Sequence, residues 1–235
     1  MDRAEFDKFA DEYAHIHTRN IRVSGEGPQY FAEYKVRDVA EYLSACGRTA
    51  TTVLDFGAGV GTSIPWFRRH LDAAKLTCLD VSERSLHVGA SRFPDQADFV
   101  SFDGQRIPLA DASFDVAFAA CVFHHIDAAQ QVGLLREIRR VLRPDGVFAI
   151  FEHNPMNPLT VHAVNSCEFD DNAVLIQPWT LRRRLRQAGF VQTRLRYRIF
   201  FPHVARSLRG LERALRWCPV GAQYSVFASG GHAAA

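Results

Sequence analysis

The sequence predicts an α/β protein whose sheet is doubly wound and mostly parallel, and three observations support this prediction. Five short apolar runs follow one another after residue 50, and helical patterns lie between them. The runs do not alternate strictly with polar residues, which is typical of parallel strands covered on both faces. Two later runs stand outside this rhythm, and they predict a seven-stranded sheet whose last strand is antiparallel, at an edge.

The elements follow in order along the chain. The seven predicted strands contain TVLDF, KLTCLDV, ADFVSFD, FDVAFAACVF, GVFAIFEH, VQTRLRYRIFF and AQYSVFAS. Between the fourth and fifth, Ala128–Leu142 has helical spacing, and the RPDG that follows predicts a turn. Its predicted inward residues are Val132, Leu135, Ile138 and Leu142. WTLRRRLRQAGF and Ala205–Trp217 predict two later helices.

Residues outside this repeat divide the chain into regions. Two helical patterns precede the first strand, and we interpret residues 1–48 as a helical lid over a core domain at 49–229. Residues 153–177 are broken by proline and asparagine and are too long for a plain connection, so they are expected to cover a site. Residues 230–235 predict a flexible tail.

Composition narrows the classes of function. An apolar share of 47% and a charged share of 23% are ordinary for a soluble globular protein, and no apolar run is long enough to cross a bilayer. The acidic N-terminus predicts no signal peptide, and scattered cysteines predict buried thiols in a reducing compartment, so we expect a cytoplasmic protein with no membrane contact. The arginine-rich RRRLRQ and RLRYR suggest nucleic-acid binding, but a net charge of +2 favours a solvated helix face and strand edge.

A glycine-rich turn follows the first predicted strand, in TVLDFGAGVGTSIPWF. Glycines permit positive φ angles and let a ligand approach the main chain, while the next helix begins with free N–H groups. The dinucleotide-binding fingerprint needs a glycine three residues after Gly59, where Thr62 stands. The pattern is instead D-x-G-x-G-x-G, beginning at Asp55.

Five ordered blocks between Thr51 and Glu152 resemble the class I S-adenosylmethionine-dependent methyltransferases. They are the glycine turn, LTCLDVSERSL, DGQRIPL, FDVAFAACVFHHI and LLREIRRVLRPDGVFAIFE. The resemblance implies a Rossmann-like fold, S-adenosylmethionine as cofactor and S-adenosylhomocysteine as product. It also implies a ribose contact at Asp80 and an adenine contact at Asp103. The cofactor-binding residues it implies are Asp55, Gly57, Ala58, Gly59, Gly61, Asp80, Val81, Asp103, Gly104, Gln105 and Cys121.

The carboxyl ends of the fourth and fifth strands are where acceptor chemistry is expected. By resemblance to small-molecule methyltransferases, His125 is the candidate base, since imidazole has a suitable unperturbed pKa. Glu152 and His153 are reserve catalytic candidates, while His124 and Asn154 are candidate acceptor contacts, with loop pinning as the alternative for the second cluster. Adjacent histidines on a strand point opposite ways, and no cysteine is spaced to join them, so no metal is predicted.

The N-terminal patterns supply the rest of the predicted site. Tyr13 stands where the family's tyrosine closes over cofactor and acceptor, so it is grouped with the catalytic candidates. An aromatic stripe with a cationic end is predicted to contact the acceptor, or alternatively to pack in the core. It consists of Tyr30, Phe31, Tyr34 and Lys35.

The resemblance leaves the acceptor open. The leading hypothesis is a small molecule, either a secondary metabolite or a biosynthetic intermediate. A sugar or lipid-linked glycan is an alternative suggested by EHNPMNPLT, and RNA is disfavoured because the fourth strand lacks an NPPY-type signature. A scaffold protein with an inactive cleft is opposed by the intact glycines and Asp80. The methylated atom and the oligomeric state stay open.

Overall fold

The computed structural model describes residues 25–71, 75–167, 170 and 172–230. Within them, seven strands form one sheet in the order β3-β2-β1-β4-β5-β7-β6. The strands are β1 Thr52–Phe56, β2 Lys75–Asp80, β3 Asp98–Ser101, β4 Phe114–Ala120, β5 Leu142–His153, β6 Gln192–Arg198 and β7 Gln223–Ser229.

The described helices begin mostly at proline or at a side-chain cap. Proline stands in the first turn of four of them, and Ser82 and Asn157 each accept a hydrogen bond from a backbone N–H of the helix that follows. The helices are α1 Pro28–Ala45, α2 Ile64–His70, α3 Glu83–Arg92, α4 Ala128–Val141, α5 Pro158–Asn165, α6 Pro178–Gln187 and α7 Glu212–Leu215. Two 3₁₀ segments, Phe123–His125 and His203–Leu211, complete the set.

The predicted seven-stranded sheet with its antiparallel last strand is confirmed. Strands β1 to β5 are parallel where they pair, and β7 pairs antiparallel with both β5 and β6. The two late strands form the antiparallel edge of the sheet, with β7 between β5 and β6 and with β6 outermost. Both faces of the sheet are covered, since neighbours such as Val53 and Leu54 belong to separate apolar clusters.

Three local predictions differ from the structure. Helix α4 ends at Val141, one residue before the predicted end. Its buried face includes Gln131 and Leu134, whereas Val132, which was predicted to point inward, is only half-buried. RPDG does not form a separate turn but belongs to β5, which starts at Leu142. These residues form an irregularity in the strand, where the register with β4 shifts opposite Asp115. The helix predicted over Ala205–Trp217 is a 3₁₀ segment followed by the single turn α7, because the backbone at Ala205 is not helical.

The sequence interpretation places the arginines of the edge strand in solvent, but only Arg194 is exposed and the other two are buried. Arg196 and Arg198 are buried against α1, and Arg198 Nε lies 2.8 Å from Asp38 Oδ2. The other arginine run, on α6, does present an exposed face. The charge of these two buried arginines therefore serves to fix α1 on the sheet and is not available to nucleic acid.

Helix α1 is the only part of the predicted lid pattern within the described residues. It buries Tyr34, Val36, Val39 and Leu43 against the sheet, which makes it part of the core as well as a wall of the site. The earlier pattern around Tyr13 lies outside the described residues. No helix in the described ranges is long and apolar enough to cross a membrane.

Candidate active site

One cavity of about 430 Å³ opens at the carboxyl ends of β1, β2, β4 and β5. This is where an open α/β sheet places its ligands, and the volume suits a cofactor or a small substrate. The cavity joins the glycine turn after β1 to the histidines after β4 and β5. Twelve of the predicted residues line it: Phe31, Lys35, Asp55, Gly57, Ala58, Gly59, Asp80, Val81, Cys121, His124, His125 and His153.

The three glycines of the turn have different roles. All have positive φ, at +73° for Gly57, +52° for Gly59 and +76° for Gly61. A Cβ on Gly57 would lie 2.5 Å from a methyl of Val122, and one on Gly61 would lie 2.6 Å from Ile64 Cδ1. A Cβ on Gly59 would meet nothing within 4 Å. Gly57 and Gly61 are therefore required by packing, whereas Gly59 leaves bare main chain on the cavity.

Asp80 ends β2 with its carboxylate held in place by backbone donors. The Gly59 N–H donates to Asp80 Oδ2 at 2.8 Å, and the Ser82 N–H donates to Oδ1 at 2.9 Å. A carboxylate oxygen accepts more than one hydrogen bond, so Asp80 retains acceptor capacity toward the cavity. A buried, fixed carboxylate next to bare main chain fits the ribose hydroxyls of a nucleoside cofactor.

Asp55 adds a second carboxyl group to the same wall. Burial and the nearby Asp80 raise the pKa of Asp55 to about 8, and Lys35 opposes them. Asp55 therefore holds a proton near pH 7 when no ligand is bound, and a cationic ligand in this cavity would favour its ionised form. S-adenosylmethionine carries a sulfonium and an ammonium. The turn, Asp55 and Asp80 therefore fit this cofactor.

The residues predicted for the adenine end do not line this cavity. Asp103 is exposed, and its Oδ1 accepts hydrogen bonds from the N–H groups of Gln105 at 2.8 Å and Arg106 at 2.9 Å. These hydrogen bonds lower the pKa of Asp103, and the bond from the Arg106 N–H has the larger effect. Asp103 faces a separate surface cavity, while Phe102 contributes to the main one. Gly61, Gly104 and Gln105 also lie outside the main lining.

His124 and Glu152 form a buried pair between the ends of β4 and β5. His124 Nδ1 lies 2.5 Å from Glu152 Oε2, and the Phe123 N–H donates to Oε1 at 2.8 Å. Burial acts to lower the pKa of His124, but Glu152 and Asp170 raise it to about 10. Burial acts to raise the pKa of Glu152, but His124 lowers it. Glu152 does not line the cavity, so it acts on a ligand only through His124.

His125 lies beside His124, with the ring centroids 4.1 Å apart. Burial and the charge of His124 lower the pKa of His125 to about 4, so the expectation of an unperturbed imidazole is wrong. The expectation that adjacent histidines diverge is also wrong. His124 Nε2 lies 3.5 Å and His125 Nε2 lies 3.4 Å from the same oxygen, Asp170 Oδ1. Asp170, which sequence reasoning missed, comes from the predicted covering loop.

Lys35 reaches the cavity from α1 and contacts Cys121, where β4 ends. Lys35 Nζ lies 3.3 Å from Cys121 Sγ, and Gln223 Nε2 lies 3.8 Å from it. Burial acts to raise the pKa of this thiol, but Lys35 and His153 lower it to about 6. All five cysteines are free thiols, and Cys121 is the one that lines the cavity beside a cation.

Three predicted acceptor contacts have structural roles instead. Tyr34 is buried and its hydroxyl donates to Gln223 Oε1, while Tyr30 packs under the Arg209 guanidinium at 4.6 Å. Asn154 is buried and donates to the carbonyls of Pro219 at 2.9 Å and Gly221 at 2.7 Å. None of the three lines the cavity. Tyr13, the remaining catalytic candidate, lies outside the described residues.

An apolar wall completes the cavity, and few features of the sequence indicated it. Its members come from α5 in the predicted covering loop and from the segment after β6. They are Leu159, Val164, Ile199, Phe200 and Pro202. The cavity thus has a polar end at the histidines, an acidic end at Asp55 and Asp80, and an apolar side.

Comparison with known proteins agrees with this geometry. Residues 54–150 match the family model described as a methyltransferase domain. The chain is 30% identical over 129 residues to the ubiquinone/menaquinone biosynthesis C-methyltransferase UbiE of Hahella chejuensis, covering 52% of this chain and 51% of that protein. It is 31% identical over 169 residues to a demethylmenaquinone methyltransferase of Renibacterium salmoninarum, covering 67% and 66%.

The fold comparison extends over nearly the whole chain. A crystal structure from Thermotoga maritima, described as a possible histamine N-methyltransferase, superposes with a TM-score of 0.67 at 18% identity, covering 97% of this chain and 99% of that one. At this identity the likeness shows the fold alone. The chain spans about half of the length of the first relative. The motif order, the sheet topology and the family match together identify the chain as a member of the class I S-adenosylmethionine-dependent methyltransferases, which confirms the predicted family and its cofactor.

Proposed function

We propose that this protein transfers the methyl group of S-adenosylmethionine to a small, largely apolar acceptor that has one polar reactive end. The observation that carries the proposal is the cavity at the carboxyl ends of the strands, which joins the fixed carboxylate of Asp80 to the histidines after β4 and to an apolar wall. Both relatives named above are quinone-biosynthesis or demethylmenaquinone methyltransferases by description, which supports a biosynthetic acceptor of this kind.

The cofactor end of the proposal rests on Gly59, Asp80 and Asp55. Asp80, held by Gly59 and Ser82, would accept hydrogen bonds from the ribose hydroxyls, and Asp55 would release its proton to solvent and stabilise the bound positive charge. When bound, S-adenosylmethionine supplies a methyl group already activated on a sulfonium sulfur. The protein's task is then to exclude water and to align an acceptor atom with that methyl.

The acceptor end rests on a polar set opposite the apolar wall. Lys35, His125 and His153 line it and can orient an acceptor oxygen or enolate. His125 is neutral near pH 7, because burial and His124 keep its pKa at about 4. It therefore suits hydrogen bonding to the acceptor better than strong general-base catalysis. Tyr13 would close over the cofactor and the acceptor, as the resemblance implies. The proposed location is the cytoplasm, as the sequence predicts.

The apolar wall favours this acceptor over the glycan and RNA alternatives. Phe31, Leu159 and Phe200 offer no hydrogen-bonding partners for a sugar's hydroxyl groups. Of the arginines on β6, Arg196 and Arg198 are buried and offer no surface to RNA. A polar sugar would leave its hydroxyl groups unpaired against this wall, which is costly.

Calorimetry followed by a methyl-transfer screen tests the proposal. The full chain should bind S-adenosylmethionine, and labelled methyl should pass to members of a panel of phenols, quinols and fatty β-keto compounds. A Phe200→Ser variant should lose transfer to the apolar acceptors while retaining cofactor binding. No cofactor binding, or transfer only to sugars or RNA, would overturn the proposal.

A further inference from the structure

We propose that His124, His125 and Asp170 form a binding site for a divalent transition-metal ion at the acceptor end of the cavity. The three side chains come from the 3₁₀ turn after β4 and from the segment that follows α5. Their ligand atoms all lie within 4.8 Å of one another, and all three residues line the cavity. This inference deepens the proposed function, because it names how the acceptor would be held.

The distances fit a shared ion. His124 Nε2 lies 3.5 Å and His125 Nε2 lies 3.4 Å from Asp170 Oδ1. Ligands at about 2.1 Å from a tetrahedral metal ion are roughly 3.4 Å from one another. These two separations therefore need little change to accommodate an ion, whereas they are long for hydrogen bonds between the same atoms.

The second ring nitrogen of His124 is already fixed. Its Nδ1 is held by Glu152 Oε2 at 2.5 Å, so Nε2 is the atom that faces Asp170. That Nε2 is buried and lies 3.5 Å from Asp170 Oδ1, which is too far for a well-formed hydrogen bond. A carboxylate on the far nitrogen of a ligating histidine is the usual arrangement around protein metals, since it orients the ring and raises its basicity. A buried imidazole nitrogen with so weak a hydrogen bond is otherwise costly.

The ligand types indicate which ions would bind. Two imidazoles and one carboxylate suit zinc, iron, cobalt or manganese better than magnesium or calcium. Three protein ligands leave at least one coordination position, and here the cavity lies on that side. An acceptor hydroxyl bound at that position would lose its proton to solvent more readily, which is the chemistry that an oxygen acceptor or a carbon beside it requires.

The competing explanation is a proton in place of the ion. In that arrangement His124 is an imidazolium between Glu152 and Asp170, and the cluster is a metal-free ion pair. The two explanations differ in whether the protein binds one added metal ion per chain. A metal would displace the Nε2 proton to solvent, whereas a permanent imidazolium would exclude it.

The test is a titration of the full chain, prepared without a histidine tag and stripped with a chelator. Zn²⁺ should bind with one-to-one stoichiometry by calorimetry, and Co²⁺ should give visible absorption bands of a site with nitrogen and oxygen ligands. Asp170→Asn and His125→Asn should each weaken binding at least about 10-fold, and Glu152→Gln should weaken it about 10–100-fold. His162→Asn, on exposed α5 surface, is the matched control and should leave binding unchanged.

Two results would overturn the inference. One is that the wild type binds Zn²⁺ no more tightly than Asp170→Asn does, although circular dichroism shows that both proteins are folded. The other is equal loss in His162→Asn, which would indicate surface binding. Binding of S-adenosylmethionine, measured alongside, keeps the proposals apart: cofactor binding without metal binding refutes only the metal site, and the reverse refutes only the proposed function.

Discussion

His124 Nδ1 lies 2.5 Å from Glu152 Oε2, and both side chains are only 1% exposed. A second histidine–glutamate pair, His70 with Glu33, lies at 3.2 Å on the surface, with side chains 20% and 29% exposed. The two pairs have the same chemistry in different surroundings. A comparison of the two pairs therefore shows how much burial changes the contribution of such a hydrogen bond to stability.

Glu152→Gln should lower the free energy of unfolding by about 3 kcal/mol, because it removes the nearer counter-charge of the buried His124 and leaves it the more distant Asp170, at 3.5 Å. Glu33→Gln should cost less than about 1 kcal/mol, because solvent screens that pair. Urea denaturation of both variants at pH 7 measures the difference. Equal losses would show that the buried pair is not electrostatically important to the fold.

Asp80→Ala should raise the dissociation constant for S-adenosylmethionine by about 10–100-fold, since charge-assisted hydrogen bonds contribute about 1.5–3 kcal/mol. Asp103→Ala should change it far less, because that carboxylate is exposed and bonded to its own loop. Calorimetry on both variants decides between them. A larger effect at Asp103 would restore its predicted adenine contact and would require a different cavity.

The glycines of the turn should separate stability from binding. Gly57→Ala should destabilise the fold by about 1–3 kcal/mol, since its Cβ would clash with Val122 in a backbone already at positive φ. Gly59→Ala should cost only about 1 kcal/mol of stability but should weaken cofactor binding, because its Cβ would enter the cavity. Melting temperatures and calorimetry, compared between the two, give the test. Identical profiles would contradict the separate roles.

Stability should depend on pH through Asp55 with an unusual sign. Its pKa rises from 3.8 to about 8 on folding, so the folded state retains a proton that the unfolded state loses. Its stabilising contribution is therefore complete below pH 4 and is lost as the pH rises toward 8. Asp55→Asn should be more stable than the wild type at pH 8, by at least about 1 kcal/mol, with little difference at pH 4.

Asp115 provides the control of opposite sign. Burial acts to raise its pKa, but hydrogen bonds from Thr52 and Thr51 lower it to about 2. Its contribution is present above pH 4 and is lost as the pH falls toward 2. Asp115→Asn should therefore be less stable than the wild type at pH 7, and the deficit should shrink in acid. Thermal melts of both variants between pH 3 and 9, without ligand, test the pair.

Cys121 should be the thiol whose reactivity depends on Lys35. With a pKa of about 6, Cys121 is a thiolate at pH 7 and should react with iodoacetamide with a midpoint near pH 6. Lys35→Gln should move that midpoint upward, because it removes the cation 3.3 Å away. Mass spectrometry reports each cysteine separately, with exposed Cys46 as the internal reference. An unchanged midpoint in Lys35→Gln would rule out the ammonium as the cause.

The sheet was predictable because each parallel strand is an apolar run between polar turns, and the cofactor turn was predictable from Asp55, the glycines and Asp80. The histidines were misjudged for a local reason. The prediction assumed an extended strand, in which neighbours diverge by about 180°. The structure has a 3₁₀ turn at Phe123–His125, in which neighbours differ by about 120°, so both rings reach Asp170.

Other misses came from long-range contacts. Asp170 in EFDDN looks like an ordinary acidic loop residue, and only the folded chain brings it to the histidines. Arg198 looks solvent-exposed in an alternating strand, but its partner Asp38 lies on α1, far away in sequence. The adenine contact of Asp103 stays a prediction, because an Asp-Gly turn bonded to its own backbone has the same sequence as a ligand contact.

The position of β7 has a consequence for synthesis on the ribosome. Strand β7 pairs with β5 on one side and β6 on the other, and its first residue, Gln223, reaches the cavity. Translation delivers β7 after the other six described strands, so β5 and β6 keep exposed edges until it emerges. A nascent chain can thus assemble β1 to β5 but must wait for β7 before β6 has a partner. The interval between these events is when the protein is most exposed to aggregation and most dependent on chaperones.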